Sequence, residues 1–250
     1  MYCLQKRAHL GIAPEAITLI RGPVDLAPFE SSENKDHAIS LRQQTCCDGP
    51  VIVSITGRVM AFKGQMHVLN ACLDLMAHHR NLRLWIIGDS ADGSADCLRE
   101  LTQRASGSGY GDRVVFWGYQ SNVVLFLLAS DIIVNANVGL EGFGRAAAEG
   151  FAAERAVIST AIGGPLELVQ HEVTGLLVAP DDANELRAEI ERLPMETELR
   201  SRLARAGYNF CRRHLVGHKA AASLEALLKL MDLSYMAMRL RCQWPFILTR

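Results

Sequence analysis

From Pro50 to Arg192, short apolar runs alternate with longer segments of helical spacing. Val51-Ile52-Val53-Ser54-Ile55 leads to a helix over Met66–Met76, and Leu82-Arg83-Leu84-Trp85-Ile86-Ile87 to one around Ala95–Ala105. Val114-Val115-Phe116-Trp117 precedes an apolar helix over 121–129, and a strand over 131–135 precedes a small-residue helix. Ala156–Thr160 and Gly175–Val178 complete the strands, with helices opening at Pro165 and after Asp181-Asp182. Proline suits the first helical position, and acidic residues suit the positive end of a helix. Runs that are apolar without alternation are strands covered on both faces. Six such strands separated by helices predict an α/β fold, a Rossmann-like parallel sheet with helices on both faces.

In an open parallel sheet, ligands sit outside the carboxyl ends of the strands. Gly57-Arg58 and Lys63 follow the first strand, Gly88-Asp89 the second and Gly118-Tyr119 the third. After the fourth comes Glu141-Gly142-Phe143-Gly144-Arg145-Ala146-Ala147-Ala148-Glu149. Backbone N–H groups at a helix start, with glycines permitting close approach, suit an anion such as a diphosphate. In a fully helical chain, Glu141 and Glu149 stand about 12 Å apart. That spacing lets two carboxylates accept hydroxyl hydrogen bonds on either side of such an anion. Arg58 and Lys63, five residues apart, carry the charge to neutralise it. Taken singly, these features equally describe an ordinary strand-to-helix junction and two solvated cations on a loop.

Composition excludes several alternatives. A net charge of −1 and 6% aromatic residues give no support for a nucleic-acid partner. The seven cysteines are scattered without a C-x-x-C pair, as in a reduced, cytoplasmic protein without a disulfide framework or zinc site. There is no apolar run of membrane-spanning length and no signal-peptide pattern. His214 and His218 lack a third ligand nearby and read as a solvated face. Gly57 begins no G-x-G-x-x-G, which argues against a dinucleotide redox enzyme.

Outside the alternating region, Ile12–Ile20 reads as a turn and short strand, and Arg21–Phe29 as an extended, proline-broken link. Residues 31–49 are polar and read as a linker. Residues 196–233 are basic and amphipathic, and read as helical. The tail over 234–250 mixes Met236, Trp244 and Phe246 with Arg239, Arg241 and Arg250. It reads as a frayed end, a surface for a partner or a membrane-surface anchor.

Seven segments in this order give the chain a specific resemblance. They are G-R-x4-K-G, I-I-G-D, D-R-V-V-F-W-G, A-S-D-I-I-V, E-G-F-G-R-A-A-A-E, A-V-I-S-T-A-I-G-G-P-L-E and T-G-L-L-V-A-P-D-D. Residues 50–192 resemble the donor-binding half of the retaining GT-B glycosyltransferases of family 4, and 12–29 resemble their interdomain connector less closely. Arg21-Gly22-Pro23 departs from the connector's usual asparagine-glycine. The resemblance implies that residues 1–30 are the remnant of a first domain plus connector, and that 50–233 form the nucleotide-sugar-binding domain. It implies that Arg58 and Lys63 hold the donor diphosphate and that Glu141 meets the sugar hydroxyls, these three carrying catalysis. It places Glu149 against the ribose, the Phe143 and Gly144 amides on the phosphate, Gly118 and Tyr119 near the base, and Gly57 and Gly142 in the donor loops.

Developing charge on a departing nucleoside diphosphate is stabilised by preorganised cations. With no D-x-D triplet in the sequence, Arg58 and Lys63 would act without a metal and without a cofactor beyond the donor itself. The implied partners are a nucleotide sugar, a glycan or lipid-linked acceptor and a separate N-terminal acceptor domain. The implied location is the cytoplasm, including the inner face of the membrane. A non-catalytic nucleotide-sugar module, one subunit of a split enzyme and a nucleotide-sugar epimerase stand as alternatives.

Overall fold

A computed structural model describes residues 21–45, 49–90 and 94–229. The expected strand over 12–20, the tail over 234–250, and Cys3, Cys46, Cys47 and Cys242 lie outside them. The chain opens with a helical turn α1 (Ala27–Glu30) and α2 (Ser32–Thr45), then β1 (Val51–Thr56) and α3 (Gln65–Met76). There follow β2 (Leu82–Ile87), α4 (Ala95–Ser106), β3 (Val114–Gly118), α5 (Val123–Ala129) and β4 (Ile132–Asn135). Next come α6 (Arg145–Ala152), β5 (Ala156–Thr160), α7 (Pro165–Leu168), β6 (Leu176–Val178), α8 (Ala183–Met195) and α9 (Thr197–His214). A further helical stretch covers 217–229.

All six strands form one parallel sheet in the order β3-β2-β1-β4-β5-β6. Neighbouring β1 residues show why the apolar runs do not alternate. Val53 points into a core built with α3, α4 and α8, whereas Ile52 points into a second core built with α2, α5, α6 and α9. Both side chains are fully buried. Since the order reverses between β1 and β4, their carboxyl ends flank the crevice where an open α/β sheet binds ligands. On the second core side, Trp85, Trp117 and Phe126 pack edge-to-face with centroids 4.9–6.2 Å apart. Offset and T-shaped aromatic pairs of this kind add to simple area burial.

Two expectations need correction. Most of the polar segment over 31–49 is not a linker but α2, fourteen residues long with Ala38 buried in the second core. A helix with so narrow an apolar contact leaves no periodic signal. It is anchored instead by Arg42, which donates to the Ala129 carbonyl at 2.7 Å and pairs with Asp131 at 2.9 Å. The same guanidinium donates to the Pro50 carbonyl, and Asp131 also accepts the Ile52 amide at 2.8 Å. The link over 21–29 is extended only in part. Val24 bridges to Val216, with its amide donating to the Leu215 carbonyl at 2.6 Å, and the chain then turns into α1.

Asp182 caps α8 as its position suggested, accepting the amides of Asn184 and Glu185 at 3.0 and 2.9 Å. Cys72 and Cys211 are buried free thiols. Burial raises the pKa of both thiols, that of Cys211 to about 12, so neither is a nucleophile near neutral pH.

Candidate functional site

The loop after β1 carries the first two predicted cations. Arg58 is exposed and forms no ion pair among the described residues. Val59 is fixed beside β2, its amide donating to the Asp89 carbonyl at 2.9 Å. A 3-10 turn over Ala61–Lys63 then ends at Gly64, whose φ is +75°. A Cβ at Gly64 would lie 1.9 Å from the Ala136 carbonyl oxygen, so only glycine lets α3 start against the end of β4. The Val138 amide donates to the Phe62 carbonyl at 2.9 Å and ties the two loops together.

That docking brings Lys63 to Glu141, with Nζ 3.4 Å from Oε2. The Lys63 side chain is 25% exposed and the Glu141 side chain 14%. The turn bearing Glu141 is braced from beyond β5, where the Gly164 amide donates to the Glu141 carbonyl at 2.8 Å. Its helix begins later than the spacing assumed. Gly144, at φ +88°, leads into α6 at Arg145, so residues 141–144 are not helical and the 12 Å estimate does not describe the pair. Within α6, Arg145 Nη2 donates to Glu149 Oε1 at 2.7 Å.

A cavity of about 500 Å³ opens at these strand ends. Gly57, Arg58, Lys63, Tyr119, Glu141 and Glu149 all line it, so six predicted residues scattered over ninety positions share one space. Gly142 and Phe143 line instead an adjoining cavity of about 550 Å³, together with Arg21–Val24. Gly118 and Gly144 line neither. The Gly118 carbonyl accepts the Gly88 amide at 2.8 Å, and Gly144 lies against the Pro165 ring.

Ser90, Gln120, Asn135 and Arg145 also face the first cavity and carry no role in the sequence reading. Their signal was present but weak: Ser90, Gln120 and Asn135 are polar residues within a few positions of a strand's carboxyl end, and Arg145 opens α6. Asn135 is held for that position, its amide donating to Ser159 Oγ at 3.1 Å.

Three cations (Arg58, Lys63, Arg145) and three carboxylates (Asp89, Glu141, Glu149) face this space. Two of the cations are already paired internally, and such partly exposed pairs are individually weak. An incoming anion can therefore take Lys63 from Glu141. The carboxylate so released becomes an acceptor for hydroxyl groups next to that anion.

Residues 50–196 match the family model described as Glycosyl transferases group 1. The chain is 34% identical over 164 residues to the lipopolysaccharide core biosynthesis glycosyltransferase LpsD of Rhizobium meliloti, a match covering 66% of this chain and 45% of LpsD. It is 27% identical over 226 residues to the D-inositol 3-phosphate glycosyltransferase of Segniliparus rotundus, covering 90% and 47%. The chain thus spans about half the length of the curated relatives it matches. In fold it is similar to Anabaena HepE, solved in complex with UDP, with a TM-score of 0.81 at 22% identity over 92% of this chain and 61% of that one. It is similar also to the C-terminal domain of the group 1 family protein LpcC from Francisella tularensis, with a TM-score of 0.70 at 25% identity, covering 78% of this chain and 99% of that domain.

Proposed function

Because this chain belongs to the group 1 glycosyl transferases, we propose that the cavity of about 500 Å³ is the donor site of a retaining sugar transfer from a nucleotide-diphosphate sugar. The observation that carries this reading is the convergence of Arg58, Lys63 and Glu141 at the reversal point of the sheet. Arg58 and Lys63 neutralise the diphosphate and the charge that grows on it as the glycosidic bond breaks. Glu141, released from Lys63, accepts from the sugar hydroxyls, and Glu149 accepts from the ribose. Tyr119, 77% exposed at the end of β3, flanks the base. The Phe143 and Gly144 amides lie at the start of α6, where the helix favours an anion.

Relatives named for lipopolysaccharide core biosynthesis support a glycan or lipid-linked acceptor. No described helix is long and apolar enough to cross a membrane. We assign the chain to the cytoplasm, including the inner face of the membrane. The family match leaves no support for the epimerase reading. A donor module working with a separate acceptor domain is the second reading, favoured by Phe62 and Leu140, exposed beside Lys63 and Glu141.

Calorimetric titration with UDP-, GDP- and ADP-sugars tests the donor site. Arg58→Ala and Lys63→Ala should each weaken binding of the preferred donor about ten- to a hundredfold, the worth of lost charge-assisted hydrogen bonds. Unchanged affinity in both variants removes the diphosphate from this cavity. Binding should also be indifferent to EDTA, because two side-chain cations stand where a metal bridge would otherwise be needed. Loss of binding on chelation, restored by Mg2+, would assign that task to a metal.

A further inference from the structure

Arg145 is badly placed for a stabilising residue. It is the first residue of α6, where a cation opposes the helix dipole. It lies on the N-terminal side of its i,i+4 partner, the weaker order for an ion pair on a helix. Its side chain is 79% exposed, yet it reaches a Glu149 carboxylate that is only 18% exposed and faces the donor cavity. The backbone beneath that carboxylate is fixed. Ala147, Ala148 and Phe151 are fully buried, and a Cβ at Gly150 would meet Val157 at 2.8 Å and Ile133 at 3.1 Å, so α6 sits hard on the sheet. What stays adjustable at Glu149 is the side-chain rotamer. Among the described residues, Arg145 is its ion-pair partner. Lys63 is engaged by Glu141, and Arg58 reaches neither.

We infer that Arg145 is a positioning residue, which holds the Glu149 carboxylate aimed into the cavity and thereby sets selectivity for a ribose over a deoxyribose in the donor. The inference rests on the reading of this cavity as the donor site. A carboxylate aimed by a guanidinium accepts from a diol in one geometry. Without it, the same carboxylate swings toward water or toward the adjoining cavity, which Arg145 and Glu149 also line.

The test is calorimetry with UDP, GDP and ADP, each paired with its 2'-deoxy counterpart, on wild type, Arg145→Gln, Arg145→Lys, Glu149→Gln and the Arg145→Gln/Glu149→Gln double variant. Glu149→Gln should reduce the preference for the ribonucleotide about tenfold. Arg145→Gln should reduce it at least about threefold, as coupled neighbours do, and Arg145→Lys should retain most of it. The double variant should lose no more than Glu149→Gln alone. The melting temperature of Arg145→Gln should not fall, which separates positioning from a structural role. A wild-type preference in Arg145→Gln, with Glu149→Gln impaired, overturns the inference while the ribose contact stands. A wild-type preference in both removes the ribose contact and the inference with it. Absence of binding by all three nucleotides overturns the donor site first.

Discussion

Gly163→Ala should unfold more of the site than any substitution of a charged residue within it. The Gly163 φ is +72°, and an added Cβ would lie 2.1 Å from the Glu141 carbonyl oxygen. The left-handed backbone costs a side chain about 1–2 kcal/mol, and forcing atoms into a packed contact costs about 1–3 kcal/mol more. The loss should therefore be about 2–5 kcal/mol by chemical denaturation. The strain falls on the neighbour whose amide holds Glu141, since Gly164 donates to that same carbonyl at 2.8 Å. Displacing this turn should lower donor affinity about ten- to a hundredfold, the worth of the charge-assisted hydrogen bonds that Glu141 would lose. Gly109→Ala is the control. Its φ is +79°, but its Cβ would meet nothing within 4 Å. It should cost only the backbone term and leave binding intact. Equal behaviour of the two variants would show that the G-G-P turn does not brace Glu141.

That brace shows where a reading of the sequence stops. The six strands were legible because a strand buried on both faces has no polar alternation to obscure it, as Ile52 and Val53 show by entering opposite cores. The strand ends were legible for the same reason: the apolar runs stop at Thr56-Gly57, Gly118 and Asn135, which places Arg58 and Tyr119 directly after them and Glu141 in the loop that follows. The α2 helix was not legible, because a single arginine reaching Ala129, Pro50 and Asp131 replaces the apolar stripe that periodicity detects. Contacts between distant segments were also hidden. Glycine at 64 and at 163 reads as turn chemistry, but the carbonyls of Ala136 and Glu141 that demand it are far along the chain. The eight-residue spacing from Glu141 to Glu149 was visible, whereas its geometry depended on where α6 begins. The pairing of Glu141 with Lys63, distant in sequence, is a property of the folded loops alone.

With its donor at a hundredfold excess over the dissociation constant, the purified chain should gain about 2.7 kcal/mol of stability and still transfer little or no sugar. Binding needs only the groups already converged at the strand ends, with Arg58, Lys63, Glu141 and Glu149 all on the carboxyl edge of one sheet. Transfer needs an acceptor hydroxyl held against the sugar, and such positioning is worth perhaps 7–11 kcal/mol of the barrier. Among the described residues, the groups lining the cavity come from that one edge and the helices that follow it. Apolar side chains next to the site residues are exposed in the same region: Phe62 at 38%, Leu140 at 62% and Tyr119 at 77%. Phe62 and Leu140 adjoin Lys63 and Glu141 in sequence, so a surface docking over them would also close over the donor. The related D-inositol 3-phosphate glycosyltransferase is about twice as long as its match to this chain, which is room for a second wall. Thermal shift and a transfer assay on the same preparation separate the outcomes. A shift without product supports donor binding and assigns the acceptor wall to another domain. Efficient transfer by the monomeric chain alone would mean that this single sheet edge positions both reactants, and that Phe62 and Leu140 are exposed for the acceptor itself.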